Sequence, residues 1–256
     1  MKYGPDAMIF DLDGVITFTA RLHAAAWKEL FDGFLGERAR QRHEPFREFT
    51  MQDYLTYVDG KPRYDGVASF LSSRAISIPF GKASDAPTAE TISGLGNRKD
   101  KLFTHKVKEL GVDVDDDAVR LVQELRNRGI RIGLASSSRN AVPIVEEAGI
   151  RELFDGVVDG LVSDRLHLRG KPEPDIFLQC LAQLVSTPIP AQAGIAEDAI
   201  AGVAAGHKGG FGLVLGVDRR NEGALRDSGA NWVIRDFSAI TADQVVGFFA
   251  DLARAA

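Results

Sequence analysis

The chain holds one cysteine, Cys180, in 256 residues, so no disulfide can close within it, which fits a reducing compartment. It has no apolar run near the roughly 18 residues that a bilayer span requires, and its opening MKYGPDAMIF carries no cleavable apolar segment. It lacks a strong charge of either sign. With 31 Lys and Arg against 36 Asp and Glu, the formal charge is −5, which offers no field to nucleic acid or to an anionic membrane. Internal repeats and low-complexity tracts are also missing. Together these absences predict a cytoplasmic protein with no nucleic-acid or membrane partner; it is further expected to act as a monomer on a small molecule. Any anionic ligand must then be held by a few local lysines and arginines.

What is present is ordinary globular composition, 45% hydrophobic and 26% charged, enough for one large domain or two unequal ones. Four short apolar segments, Ala7–Phe10, Ile130–Ala135, Gly156–Val158 and Gly194–Ala196, read as buried parallel strands, with Gly212–Gly216 a fifth. Most are followed by a helical stretch. That order predicts a doubly wound, Rossmann-like α/β sheet, whose ligands bind at the C-terminal strand ends. Between the first two strands, residues 22–37, 46–58, 64–74 and 99–111 carry helical apolar spacing. The Gly/Pro/Ser-rich stretch Ile78–Gly96 reads as loops. A helical insertion over residues 19–112 is therefore expected within a core made of 1–18 and 113–256. Ile240–Ala253 reads as a closing amphipathic helix, and Cys180, in an apolar run, as a small core residue.

Four polar clusters stand at strand ends. Asp11 and Asp13 follow the first strand and precede Gly14; two converging carboxylates repel, so they need a cation, a shared proton or a basic partner. Ser136, Ser137 and Ser138 follow the second strand, where hydroxyls and N–H groups at a helix start suit a phosphate, or simply cap the helix. Gly170-Lys171-Pro172 holds a lysine on a rigid loop before a helix. Glu197-Asp198 ends the fourth strand, either as a second acid pair or as an acidic helix start. Taken jointly, the carboxylates suit an oxygen-liganded Mg²⁺, while serine and lysine suit phosphoryl oxygens. The pattern describes phosphoryl transfer at an aspartate.

DLDGV, ASSS, GKPEPD and EDAIAGV, in that order, resemble the four motifs of the haloacid dehalogenase superfamily, and the match runs along the whole chain. Within it the chain resembles the β-phosphoglucomutase-like subfamily, and the insertion resembles that family's helical cap. The resemblance implies Asp11 as nucleophile, Asp13 as general acid and base, and Ser136 and Lys171 as holders of the transferring phosphoryl. It also implies Mg²⁺ held by Asp11, the Asp13 carbonyl and Asp198, with Glu197 near or within its shell. Ser137, Ser138 and Asn140 fall on the implied substrate side. In the insertion it implies substrate roles for Thr19, His23, Gly60, Arg63 and Lys99, with Arg63 gripping the phosphate distal to the reaction. Two positions depart from the pattern: Phe18 stands where aspartate is usual, and Asp100 follows Lys99 where asparagine is more typical. The implied activity is interconversion of a sugar 1-phosphate and 6-phosphate. The alternatives are a phosphatase of small sugar or polyol phosphates and a non-catalytic phosphometabolite-binding module.

Overall fold

Strand segments that are apolar throughout, rather than alternating, can only be satisfied in a sheet covered on both faces. The computed structural model describes residues 4–219 and 223–255 and resolves that demand with one parallel sheet. Its strands are β1 (Ala7–Phe10), β2 (Arg131–Ala135), β3 (Gly156–Val158), β4 (Ala193–Glu197), β5 (Leu213–Val217) and β6 (Trp232–Ile234). The order across the sheet is β3-β2-β1-β4-β5-β6, with Phe10 in register with Leu134 on one side and Ala196 on the other. The winding reverses between β1 and β4. In such sheets that reversal opens a crevice beyond the carboxyl ends of the two strands, where DLDGV and EDAIAGV begin.

The chain divides into two units, Met1–Phe18 with Asp113–Ala256, and Thr19–Val112. The second is helical: α1 (Ala20–Arg42), the short α2 (Met51–Asp53) running into a π-helical turn at Tyr54–Val58, α3 (Arg63–Ser73) and α4 (Ile92–Leu110). Its core is aromatic. Phe31 packs on Phe49 and Phe70 with ring centroids 5.0 and 4.2 Å away, and Phe49 meets Phe70 edge-on at 4.8 Å. Each buried phenylalanine contributes about 1.5–3 kcal/mol through the area it withdraws from water. A capping box at Thr50 and Asp53 starts α2, and the Thr91 side chain accepts from Gly94 N–H at the start of α4.

The first unit carries α5 (Asp116–Asn127), α6 (Ala141–Glu147), α7 (Gly160–Leu166), α8 (Asp175–Leu184), α9 (Ile200–Lys208), α10 (Ala224–Asp227) and α11 (Ala242–Ala255). In α5, Ala118, Leu121, Val122 and Leu125 form one buried stripe, the i, i+3, i+4, i+7 spacing of an amphipathic helix. Cys180 is buried on α8, where burial pushes its thiol pKa up.

Three expectations need correction. The sixth strand is absent from the sequence reading because Trp232–Ile234 is three residues long, only partly buried and at the sheet edge. The loop expected through Gly96 ends earlier: α4 begins at Ile92, with Ser93, Gly94, Leu95 and Gly96 all buried. Tertiary packing overrides the low helix propensity of glycine there, because the Tyr64 ring fills the space a side chain at 96 would need. The helix expected from residue 46 starts only at Met51, the preceding segment having no regular secondary structure.

Candidate active site

Asp11 continues the β1 ladder, donating its N–H to the Ala196 carbonyl at 3.0 Å. The chain then turns at once. Asp13 N–H donates back to Asp11 Oδ2 at 3.0 Å, and the N–H groups of Ile16 and Thr17 converge on the Leu12 carbonyl. Gly14 adopts φ +87°, and a Cβ there would lie 1.8 Å from Asp198 Oδ2. Position 14 must therefore be glycine both for the turn and for room, since the second acid cluster packs directly on the first.

Lys171 is the charge centre. The residue is 3% exposed, and its ammonium donates to Asp11 Oδ1 at 2.7 Å and to Glu197 Oε1 in a very short contact and lies 4.9 Å from the Phe177 ring centroid. Burial works to lower its pKa, but the facing Asp11 and Glu197 carboxylates raise it above the ordinary lysine value. Glu197 is fully buried, and its other oxygen accepts from Ala199 N–H at 3.0 Å. Burial pushes the Asp11 carboxyl up to about 8, against the pull of Lys171 and helped by the negative charges of Glu197 and Asp13.

Carboxylate oxygens of Asp11, Glu197 and Asp198 lie within 4.8 Å of one another. A carboxyl raised that far is a poor nucleophile at neutral pH unless more positive charge arrives. An all-oxygen donor set beside a single ammonium fits a hard divalent cation. The Asp13 carboxylate is outside this set and faces the Ser136 hydroxyl at 3.5 Å, so only its backbone is left to the metal role expected of it.

The serine segment departs from expectation. The next helix, α6, begins at Ala141 rather than at the serines. Ser136 Oγ accepts from Ser138 N–H, and Ser138 Oγ accepts from Asn140 N–H, at 3.1 and 3.2 Å. These two consecutive side-chain-to-backbone turns fix Ser136 beside Asp13, and Ser136 N–H donates to the Val158 carbonyl. The lysine loop is also tied, by Arg169 Nε and Nη2 to the two oxygens of Asp175 at 3.0 and 2.8 Å.

In the helical unit, Thr19 precedes α1 and its carbonyl accepts from His23 N–H. Lys99 is 5% exposed. It donates to His23 Nδ1 at 2.6 Å and sits 4.6 and 5.3 Å from the Phe103 and Trp27 rings. Gly60 adopts φ +72° in the loop before α3. Arg63, at the start of α3, pairs with Asp100 at 2.9 Å and stacks 5.4 Å from the Tyr64 ring. The structure thus brings His23 to Lys99 and Arg63 to Asp100. Sequence reasoning missed the aromatic partners Phe177, Phe103 and Trp27, and it missed Arg219, which donates to the Gly14 carbonyl at 3.1 Å. Arg219 follows a strand end, the same signal that singled out the other clusters.

Residues 5–210 match the family model described as haloacid dehalogenase-like hydrolase. The chain is 43% identical to the β-phosphoglucomutase of Mycobacterium tuberculosis, over 91% of this chain and 90% of that one. It is 35% identical to the β-phosphoglucomutase of Bacillus subtilis, over 92% and 91%. The crystal structure of β-phosphoglucomutase from Clostridium difficile superposes with a TM-score of 0.77 at 23% identity, covering 98% of this chain and 99% of that one. This last likeness concerns the fold.

Proposed function

Because the chain belongs to the haloacid dehalogenase-like hydrolase family, we propose that it is a Mg²⁺-dependent phosphotransferase of β-phosphoglucomutase type. It interconverts a sugar 1-phosphate and the sugar 6-phosphate through a bisphosphate. The observation that carries the reading is the cluster at the reversal of the sheet, where Lys171 bridges Asp11 and Glu197 beside Asp198. The relative from M. tuberculosis, 43% identical along nearly the full length of both chains, supports the mutase over simple hydrolysis.

In this reading an Asp11 carboxylate oxygen attacks one phosphorus of the bisphosphate, and the bond from that phosphorus to the sugar oxygen breaks, leaving a sugar monophosphate. The leaving oxygen takes its proton from Asp13. Splitting transfer through an aspartyl phosphate replaces one hard displacement by two easier ones. In the return step Asp13 removes the proton from the free hydroxyl of an incoming sugar monophosphate as that oxygen attacks the aspartyl phosphorus, which regenerates the bisphosphate and frees Asp11. Ser136 and Lys171 hold the phosphoryl oxygens, so their work is positioning and charge stabilisation. Ser137, Ser138 and Asn140 contribute to the substrate side. Mg²⁺, held by Asp11, the Asp13 carbonyl and Asp198, supplies the positive charge that keeps Asp11 ionised. Glu197 serves chiefly to fix Lys171, since both its oxygens are engaged within the protein.

The helical unit is proposed as the cap, excluding water while the bisphosphate turns round. Arg63 binds the distal phosphate through its planar guanidinium. Lys99, His23, Thr19 and Gly60 complete the substrate contacts.

The deciding assay combines purified protein, Mg²⁺, β-glucose 1-phosphate and a trace of the 1,6-bisphosphate, following glucose 6-phosphate and inorganic phosphate together. Isomerisation with little phosphate release is expected. Phosphate release without isomerisation would overturn the mutase in favour of a phosphatase, and neither product would favour a binding module.

A further inference from the structure

Arg219 lies just beyond β5, in sequence far from every motif, yet three parts of the α/β unit meet on its guanidinium. Nε donates to the Gly14 carbonyl at 3.1 Å, Nη2 donates to Asp115 Oδ2 at 2.6 Å, and the Phe18 ring centroid lies 4.7 Å from the guanidinium carbon. Asp115 is 6% exposed, and its other oxygen caps α5 by accepting from Asp117 and Ala118 N–H, each at 3.0 Å. Asp115 N–H in turn donates to the Ile16 carbonyl, Thr17 bridges Val114, and Phe18 N–H donates to the Asp113 carbonyl. The ends of the helical insertion are therefore fastened to each other, and Arg219 is fastened to both.

The geometry points to Arg219 as a positioning residue that, with Phe18 against its face, sets the pose of Asp13 by holding the Gly14 carbonyl. The peptide it holds adjoins the one carrying Asp13. Within the turn, Gly14 N–H donates to the Thr17 carbonyl at 2.7 Å and Thr17 Oγ1 to the Leu12 carbonyl at 3.1 Å, while its far end is tied to the start of α5 through the Ile16 carbonyl and Thr17. Arg219 thus ties the Gly14 carbonyl, next to Asp13, to the same capped start of α5 that holds Ile16 and Thr17. A planar guanidinium can serve carbonyl, carboxylate and ring face at once, which an ammonium cannot. Phe18 acquires a specific role here. An apolar ring covers the cation without competing for its hydrogen bonds, whereas aspartate at 18 would add a rival acceptor beside Asp115.

This inference rests on Asp13 being the proton-transfer group. The test compares R219A, R219K and F18L with wild type in sugar-phosphate isomerisation and in hydrolysis of p-nitrophenyl phosphate, alongside melting temperature and amide hydrogen exchange. Displacing a reacting group by about an ångström can cost about a hundredfold, so R219A is expected to lower kcat tenfold or more. KM should stay within about twofold, as for an interaction felt in the transition state alone. R219K is expected to recover the melting temperature by pairing with Asp115 while kcat remains low. F18L should fold like wild type and show a smaller fall in kcat. A kcat that recovers together with stability in R219K, or one unchanged in R219A, overturns the assignment. If wild type turns over neither substrate, the functional reading fails instead. The clasp is then judged by Gly14 amide exchange, which must quicken in R219K; unchanged exchange would refute it.

Discussion

Two lysines are buried among the described residues, one in each unit, and their company differs. Lys171 is neutralised by two carboxylates in the α/β unit, and its own burial demands them. Lys99 lies among Trp27, Phe103 and His23 in the helical unit. Aromatic faces attract a cation without cancelling its formal charge. The first arrangement sets a buried ammonium against carboxylates, and in the second aromatic rings help to hold a buried ammonium. Arg63 is intermediate, since Asp100 pairs with it but is itself 37% exposed.

The sharpest break of that contrast is Lys171→Met. It should reduce turnover by about 10²–10³, as loss of one preorganised charge donor does, and destabilise the fold by about 3–5 kcal/mol through two orphaned buried carboxylates. Denaturant titration beside steady-state kinetics checks both, and an unshifted midpoint would show that the carboxylates find other partners. Next in size, Arg63→Ala should harm isomerisation about tenfold or more while leaving p-nitrophenyl phosphate hydrolysis within about twofold, because only a doubly phosphorylated ligand needs the second anchor. Equal losses in the two assays would remove its distal role. Asp100→Asn should move the other way, lowering the half-saturating bisphosphate concentration by a few fold, about the weight of one exposed ion pair. An unchanged value would mean that the pair does not compete with the ligand.

The smallest effect concerns stability alone. Burial works to raise the Asp53 carboxyl, but hydrogen bonds from Thr50 and the Arg74 charge hold it below the usual carboxylate range. A carboxyl lowered in the folded state stabilises above its unfolded pKa, about 4, and that contribution is lost as pH falls through the folded value. Asp53→Asn should therefore lower the melting temperature at pH 7, with the gap closing below about pH 4. A gap independent of pH would assign the loss to hydrogen bonding.

The strand ends were legible because a parallel strand buried on both faces must be apolar throughout, and the polar residues that end it then stand out. Asp11, Lys171, Glu197 and Asp198 converge because the sheet order brings β1 beside β4, a topology their spacing alone does not dictate. Pairings across long separations carry no periodic signal: Glu197 with Lys171, Asp100 with Arg63 and Arg219 with Gly14 were all invisible. Lys99 was singled out by the family resemblance alone, and its burial was hidden because a basic residue on an amphipathic helix ordinarily points to water. The start of α4 was obscured by glycines that local propensity reads as breakers and packing requires.

The antiparallel bridge between Thr17 and Val114, with the Phe18 to Asp113 hydrogen bond beside it, has a genetic meaning. The coding segment between those points behaves as a cassette: its two ends emerge side by side, the spacing that an ordinary hairpin connection of about two to five residues would close. Closure entropy grows only with the logarithm of loop length, so cassettes of very different size can be exchanged at this junction with little change in the entropy of closing it. An exchange at this one rung of a ladder would leave the residues proposed for phosphoryl transfer in the α/β unit untouched.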